Sequence, residues 1–170
     1  MQYQQAADEG DVDALYNLGV CYYRGRGVPR SFEKAVELFE LAASKGCSDA
    51  IYNLGVCYNK GKGVKQDSNR AVELFERASI EGCSDAIYNL GVCYNKGKGV
   101  KQDCNRAVEI WRRASDGVDC DAMYSLGVCY YLGQGVEQNI DKAVELFAMV
   151  VLVKCAVLIS GTQSISISQE

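Results

Sequence analysis

The chain has 170 residues, a net charge of −4 and 48% hydrophobic residues, enough for one domain with a buried core and too apolar for a disordered chain. It contains no histidine, which removes the usual general base near neutral pH, the Ser-His and Cys-His nucleophile pairs and every His-ligated metal site. The acidic balance argues against a duplex nucleic-acid binder. The nine cysteines are an odd set in a chain already rich in apolar core residues. No basic and apolar leader follows Met1, so reduced thiols in a cytoplasmic setting are expected.

Internal repetition dominates the chain. Residues 46–81 and 82–117 agree at 30 of 36 positions, and the same period recurs in columns such as Leu18, Leu54, Leu90, Leu126 and Gly19, Gly55, Gly91, Gly127. Units fall at about 10–45, 46–81, 82–117 and 118–155. In chain order, residues 1–9 read as a partial leading helix, because Ala6, Ala7 and Gly10 match Ala42, Ala43 and Gly46. A chain that opens inside a unit is expected to be a fragment of a longer array.

Each unit reads as two helices. In the first, Ala50, Leu54 and Tyr58 fall on one stripe at spacing four, with Ile51 and Gly55 beside it. Gly61 and Gly63 stop it, and Lys60 suits the negative end of the helix dipole. Asp67 opens the second helix, as do Ser31, Asp103 and Asn139 in the other units, all good N-cap residues. Ala71, Phe75 and Ala78 line its inner face, and Gly82 closes it. Trp111 replaces Phe75 and Phe39 in their column and reads as a core aromatic. After Phe147 the pattern is lost. The run 146–159 is apolar apart from Lys154, too short for a membrane span; it reads as a terminal helix, with a tail anchor as a weak alternative. Residues 156–170 are expected to form a flexible tail.

The pattern Ala-x-x-x-Leu-Gly-x-x-Tyr, Gly-x-Gly-Val, Ala-x-x-x-Phe/Trp-x-x-Ala resembles the Sel-one-like repeat, a relative of the tetratricopeptide repeat. The resemblance covers residues 1–150. It implies an all-α fold, a right-handed α/α superhelix of four 36-residue helical hairpins with first helices on the concave side. One hairpin cannot bury both its faces, so the physical argument also demands stacking.

The remaining features carry no catalytic logic. Cys21, Cys57, Cys93 and Cys129 share a column, and neighbouring copies about 8–10 Å apart lie beyond disulfide reach. A secreted branch of the resembled family staples each unit with cysteines eight residues apart, but the matching positions, such as Ala42 and Ala50, hold alanine here. No C-x-x-C occurs, so a zinc site lacks its usual ligands. The loop GKGVKQD has neither the spacing nor the preceding strand of a P-loop; its lysines read as solvated, with binding of phosphate or an acidic ligand along a ridge of such loops as a minor alternative.

By helical period, the first-helix positions that do not face the core are Tyr16, Tyr52, Tyr88 and Tyr124, then Val56 and Val92, Asn59 and Asn95, and Lys60 and Lys96. The tetratricopeptide relationship implies a ligand groove on this face. Tyrosine offers contact area at small entropy cost, while amides and ammonium groups pair with backbone and carboxylate. The competing reading is that these tyrosines pack between units. The expected function is a non-catalytic scaffold or adaptor that binds a peptide or partner domain on the concave face. It needs no cofactor or metal, and it binds no nucleic acid and spans no membrane. The alternative is a secreted, effector-type repeat protein acting on host or cell-wall components.

Overall fold

Apolar residues recur three and four apart throughout the chain, and helices form where they do. The computed structural model describes residues 2–115 and 119–166. In chain order the helices are α1 (Gln2–Asp8), α2 (Val12–Arg24), α3 (Phe32–Ser44), α4 (Ser48–Lys60), α5 (Ser68–Ile80), α6 (Ser84–Lys96), α7 (Cys104–Ser115), α8 (Cys120–Leu132) and α9 (Ile140–Ser166). Among the described residues there is no strand. The chain forms two compact units, Met1–Gln102 and Asp103–Glu170. The fold class is the expected one: all-α, with repeated helical hairpins.

Unit 1 holds α1 to α6. The hairpin α4–α5 shows how a repeat is built. Helix α4 buries Ala50, Ile51, Leu54, Gly55 and Cys57, and α5 buries Ala71, Val72, Leu74, Phe75 and Ala78. Gly55 lets the helices meet closely: a Cβ there would lie 2.7 Å from the Phe75 ring. Phe75 is fully buried, and burial of a phenylalanine side chain stabilises by roughly 1.5–3 kcal/mol. Helix α4 ends at Gly61, whose left-handed φ of 63° turns its N–H back to the Cys57 carbonyl. Helix α5 starts at Asp67, whose carboxylate accepts from the Arg70 N–H at 3.0 Å. It closes through Gly82, with Gly82 N–H donating to the Ser79 carbonyl and Cys83 N–H to the Ala78 carbonyl, the paired bonds of a Schellman motif.

The first-helix N-caps differ among repeats. Asp11 accepts from the Ala14 N–H at 2.7 Å, and Asp119 accepts from the Asp121 and Ala122 N–H groups at 2.9 Å. Cys47 and Cys83 hold the same position with similar backbone angles but make no side-chain cap bond. Cys47→Asp is therefore expected to stabilise the protein by about 1 kcal/mol, read as a higher denaturation midpoint. A lower midpoint would show that this helix end is already satisfied.

Unit 2 holds α7 to α9. Helix α8 buries Ala122, Met123, Leu126, Gly127 and Cys129, and a Cβ on Gly127 would come within 2.6 Å of the Phe147 ring. Trp111 on α7 is buried, as expected of a core aromatic. The Asn139 side chain accepts from the Lys142 N–H at 2.9 Å and opens α9. Helix α9 continues as one helix through Ser166, past the boundary at 155; residues 167–170 lie outside the described set. Val144, Met149, Val151 and Leu152 of α9 are exposed. Among the described residues, no helix is long and apolar enough to cross a membrane.

Candidate functional site

The candidate face lies on the first helix of each repeat. In unit 1 it is carried by α2, α4 and α6, and the first two rest on α3 and α5 of their own hairpins. Tyr16 and Tyr52 are half-buried. Each ring leans on the phenylalanine of its own hairpin: Tyr16 on Phe39 at 6.1 Å and Tyr52 on Phe75 at 5.9 Å, both tilted by 38°. Each hydroxyl accepts a hydrogen bond from the next repeat, Tyr16 from Asn53 Nδ2 at 3.5 Å and Tyr52 from Asn89 Nδ2 at 3.4 Å. The same amides donate to carbonyls one turn back in their own helices, Asp49 and Asp85, at 2.8 Å. The tyrosines therefore pack between repeats and still present part of the ring to solvent. Burial pushes the Tyr52 phenol up to about 12, with the Asp85 carboxylate adding to it, so this hydroxyl stays neutral at physiological pH.

Tyr88 is half-buried at the matching place on α6. In unit 2, Tyr124 rests on Phe147 at 5.4 Å and is 56% exposed. Val56 and Val92 are half-buried, one turn beyond the tyrosines of α4 and α6, and Lys60 and Lys96 are exposed at the ends of those helices. Asn59 and Asn95 are half-buried. Their backbone carbonyls accept from Gln66 and Gln102 Nε2 at 2.9 and 2.8 Å, so each loop is tied to its own helix. The Asn59 Oδ1 atom is screened from solvent and has no hydrogen-bond partner.

The residues absent from the sequence expectation are Asn53 and Asn89. They occupy another column and lie 37 positions beyond the tyrosines they reach, so a search along one column does not pair them. Lys62 and Lys98 lie in the loops expected to be solvated or, in the minor alternative, to bind phosphate or an acidic ligand. Lys62 Nζ bonds the Tyr23 hydroxyl at 3.3 Å and lies 4.9 and 5.0 Å from the Tyr23 and Phe32 rings, and Lys98 Nζ donates to the Asn59 carbonyl at 3.4 Å. Both lysines are correctly described as joints between neighbouring repeats of unit 1.

Three of the four cysteines in the column face inward, while Cys21 is half-buried. Cys57, Cys93 and Cys129 are buried free thiols, and burial pushes Cys57 and Cys129 up to about 11 despite the lysines near Cys57. A thiol so protonated is a weak nucleophile. Among the described residues, no cluster of histidine, cysteine, aspartate and glutamate could hold a metal ion.

The Sel1 repeat family model matches residues 12–47, 48–83, 84–119 and 120–149, two residues out of phase with the units read from the sequence. A crystal structure of a protective antigen present in uropathogenic Escherichia coli strains, displaying an SLR fold, is 33% identical with a TM-score of 0.84, covering 88% of this chain and 32% of its own. A Sel1 repeat protein from Oxalobacter formigenes is 29% identical with a TM-score of 0.82, covering 88% of this chain and 61% of its own. A Sel1-like repeat-containing protein of Schizosaccharomyces pombe is 41% identical over 39 residues, which are 23% of this chain and 6% of that protein. The chain thus spans less than two thirds of the length of each of these relatives.

Proposed function

The chain belongs to the Sel1 repeat family, and from that premise we propose that it is a non-catalytic interaction scaffold, holding an extended peptide or a partner domain on the first-helix face. The observation that carries this reading is the row of half-buried tyrosine rings in unit 1, fixed by phenylalanine beneath and by asparagine of the next repeat. Rings held in place on a solvent-facing surface lose little entropy when a ligand covers them. Val56 and Val92 add apolar area beside them, and Asn59, Asn95, Lys60 and Lys96 add polar groups for a peptide backbone and its carboxylates. A reducing, cytoplasmic setting is part of the proposal.

The test compares wild-type protein with a Val56→Gln, Val92→Gln variant as bait, with mass spectrometry of what each retains. Both substitutions are neutral and helix-compatible, and circular dichroism checks the fold. A protein retained by the wild type and lost by the variant supports the face. Identical or empty sets place binding elsewhere and overturn it.

A further inference from the structure

The loop edge of unit 1 carries a charge pattern that the fold itself does not use. The linkers 25–31, 61–67 and 97–103 join first helices to second helices and carry two cations each, and Arg24, Lys60 and Lys96 end the preceding helices. The two carboxylates of these linkers, Asp67 and Asp103, are turned into N-caps that accept from the Arg70 and Arg106 N–H groups. The matching stretch of unit 2, residues 132–138, has no cation and contains Glu137. At the other end of the hairpins, residues 8–13 contain four carboxylates and no cation. A chain of net charge −4 therefore gathers positive charge along one edge of one unit.

The fold makes that edge continuous. Gly63 sits against the backbone of Phe32 and Glu33, and Gly99 against that of Ser68 and Asn69, so each loop seats on the start of the preceding second helix. Lys62 and Lys98 are used in these joints. Lys60, Lys65, Lys96 and Lys101 are exposed and enter no ion pair; among the described residues the ion pairs are Arg70–Glu73 and Arg106–Glu109. Exposed charges more than about 8 Å away are largely screened in physiological salt, so the cations of the edge outweigh the distant net negative charge locally.

We propose that this edge binds an acidic, extended polypeptide segment with a carboxylate at about every third residue. In the extended polyproline II conformation a chain has three residues per turn, so every third side chain falls on one face and meets the lysines of the edge in succession. This rests on the scaffold reading and names the chemistry of its ligand, since Lys60 and Lys96 end the helices that carry the first-helix face. A nucleic acid fits less well: the Tyr23 and Phe32 rings pack on each other at 5.2 Å and are covered by Lys62, and the Tyr58 ring, half-buried beside Lys65, shares its pocket with the Asp67 carboxylate, which repels a phosphate backbone. An anionic membrane also fits less well, because the exposed large apolar residues among the described residues of unit 1, Tyr3, Leu41 and Ile80, lie outside the basic segments.

The experiment measures fluorescence anisotropy with the full chain and a labelled peptide of about five Glu-Ser-Ala repeats, beside its Gln-Ser-Ala counterpart. The glutamate peptide is expected to bind and the glutamine peptide not. The Lys60→Gln, Lys65→Gln, Lys96→Gln, Lys101→Gln variant is expected to bind about tenfold more weakly or worse. Binding by wild type is expected to fall steeply with added salt, a readout that stands even where the variant fails to fold. Loss in the lysine variant assigns the ligand to the edge; retention in the Val56→Gln, Val92→Gln variant confines it to the edge, and loss in both places it along the edge and the first-helix face together. Equal binding of the two peptides, or unchanged binding in the lysine variant, overturns the proposal. So does tighter binding of single-stranded DNA or of phosphatidylserine vesicles, which would reassign the edge to nucleic acid or membrane.

Discussion

Gly63→Ala is expected to destabilise the protein far more than Gly61→Ala, although the two glycines stand side by side in one loop and both have positive φ, 72° and 63°. For Gly61 the cost is chiefly conformational. A Cβ there would meet the Gln66 Cβ at 3.2 Å, a tight contact that a shift of a few tenths of an ångström in the loop relieves. A left-handed alanine costs about 1–2 kcal/mol. For Gly63 the Cβ would run into the carbonyl group of Phe32 and the Glu33 nitrogen. These are backbone atoms at the first turn of α3, so relief requires the α4–α5 loop to lift off the preceding hairpin. That movement would also withdraw Lys62 from Tyr23 and Phe32. A loss on the order of 3 kcal/mol is expected, measured as the difference in denaturant midpoints between the two variants. Equal losses would show that the loop seats on its neighbour less tightly than its geometry indicates. The same comparison can be repeated one repeat further on, where Gly99 sits against Ser68.

The contrast shows what kind of information the sequence carries. Asp67, Ser31, Asp103 and Asn139 were legible as N-caps because a cap is a local matter: a side-chain oxygen and an N–H three residues on. The hairpin cores were legible because their columns repeat, and Ala71, Phe75 and Ala78 are buried as the pattern requires. The candidate face was legible as a column of tyrosines, but its partners were not. Asn53 and Asn89 meet those tyrosines only after one hairpin has stacked on another, and no local rule links the two columns. Lys62 is a parallel case: its sequence surroundings are glycine and lysine, and the aromatic rings that hold it belong to the preceding repeat. Helix α9 is different again. Nothing in residues 148–159 repeats, so the period gave no boundary there, and the helix simply continues where no proline stops it.

Tyr52 is where packing and presentation meet, and paired substitutions separate them. Tyr52→Ala removes a half-buried ring that leans on Phe75 and leaves the Asn89 amide without its second partner. A loss of about 2–3 kcal/mol is expected. The contacts to Phe75 and Asn89 make this ring part of the packing between repeats, the competing reading of the tyrosine column. Tyr52→Phe keeps the ring and removes only the hydroxyl, at a cost of about 1 kcal/mol. The pH dependence offers an independent check. Burial raises the phenol to about 12 in the folded protein from its ordinary value of 10.0, so the folded state holds this proton more tightly than the unfolded state does. The resulting contribution is fully present below pH 10 and is lost as the pH rises toward 12. Tyr52→Phe should therefore flatten the alkaline fall in stability over that range and leave the curve near neutrality parallel to that of the wild type. An unchanged alkaline slope would show that the hydroxyl is as solvated in the folded chain as in the unfolded one. In that case Tyr52 would be available to a ligand over its whole edge, and the asparagine contact would contribute nothing to holding it.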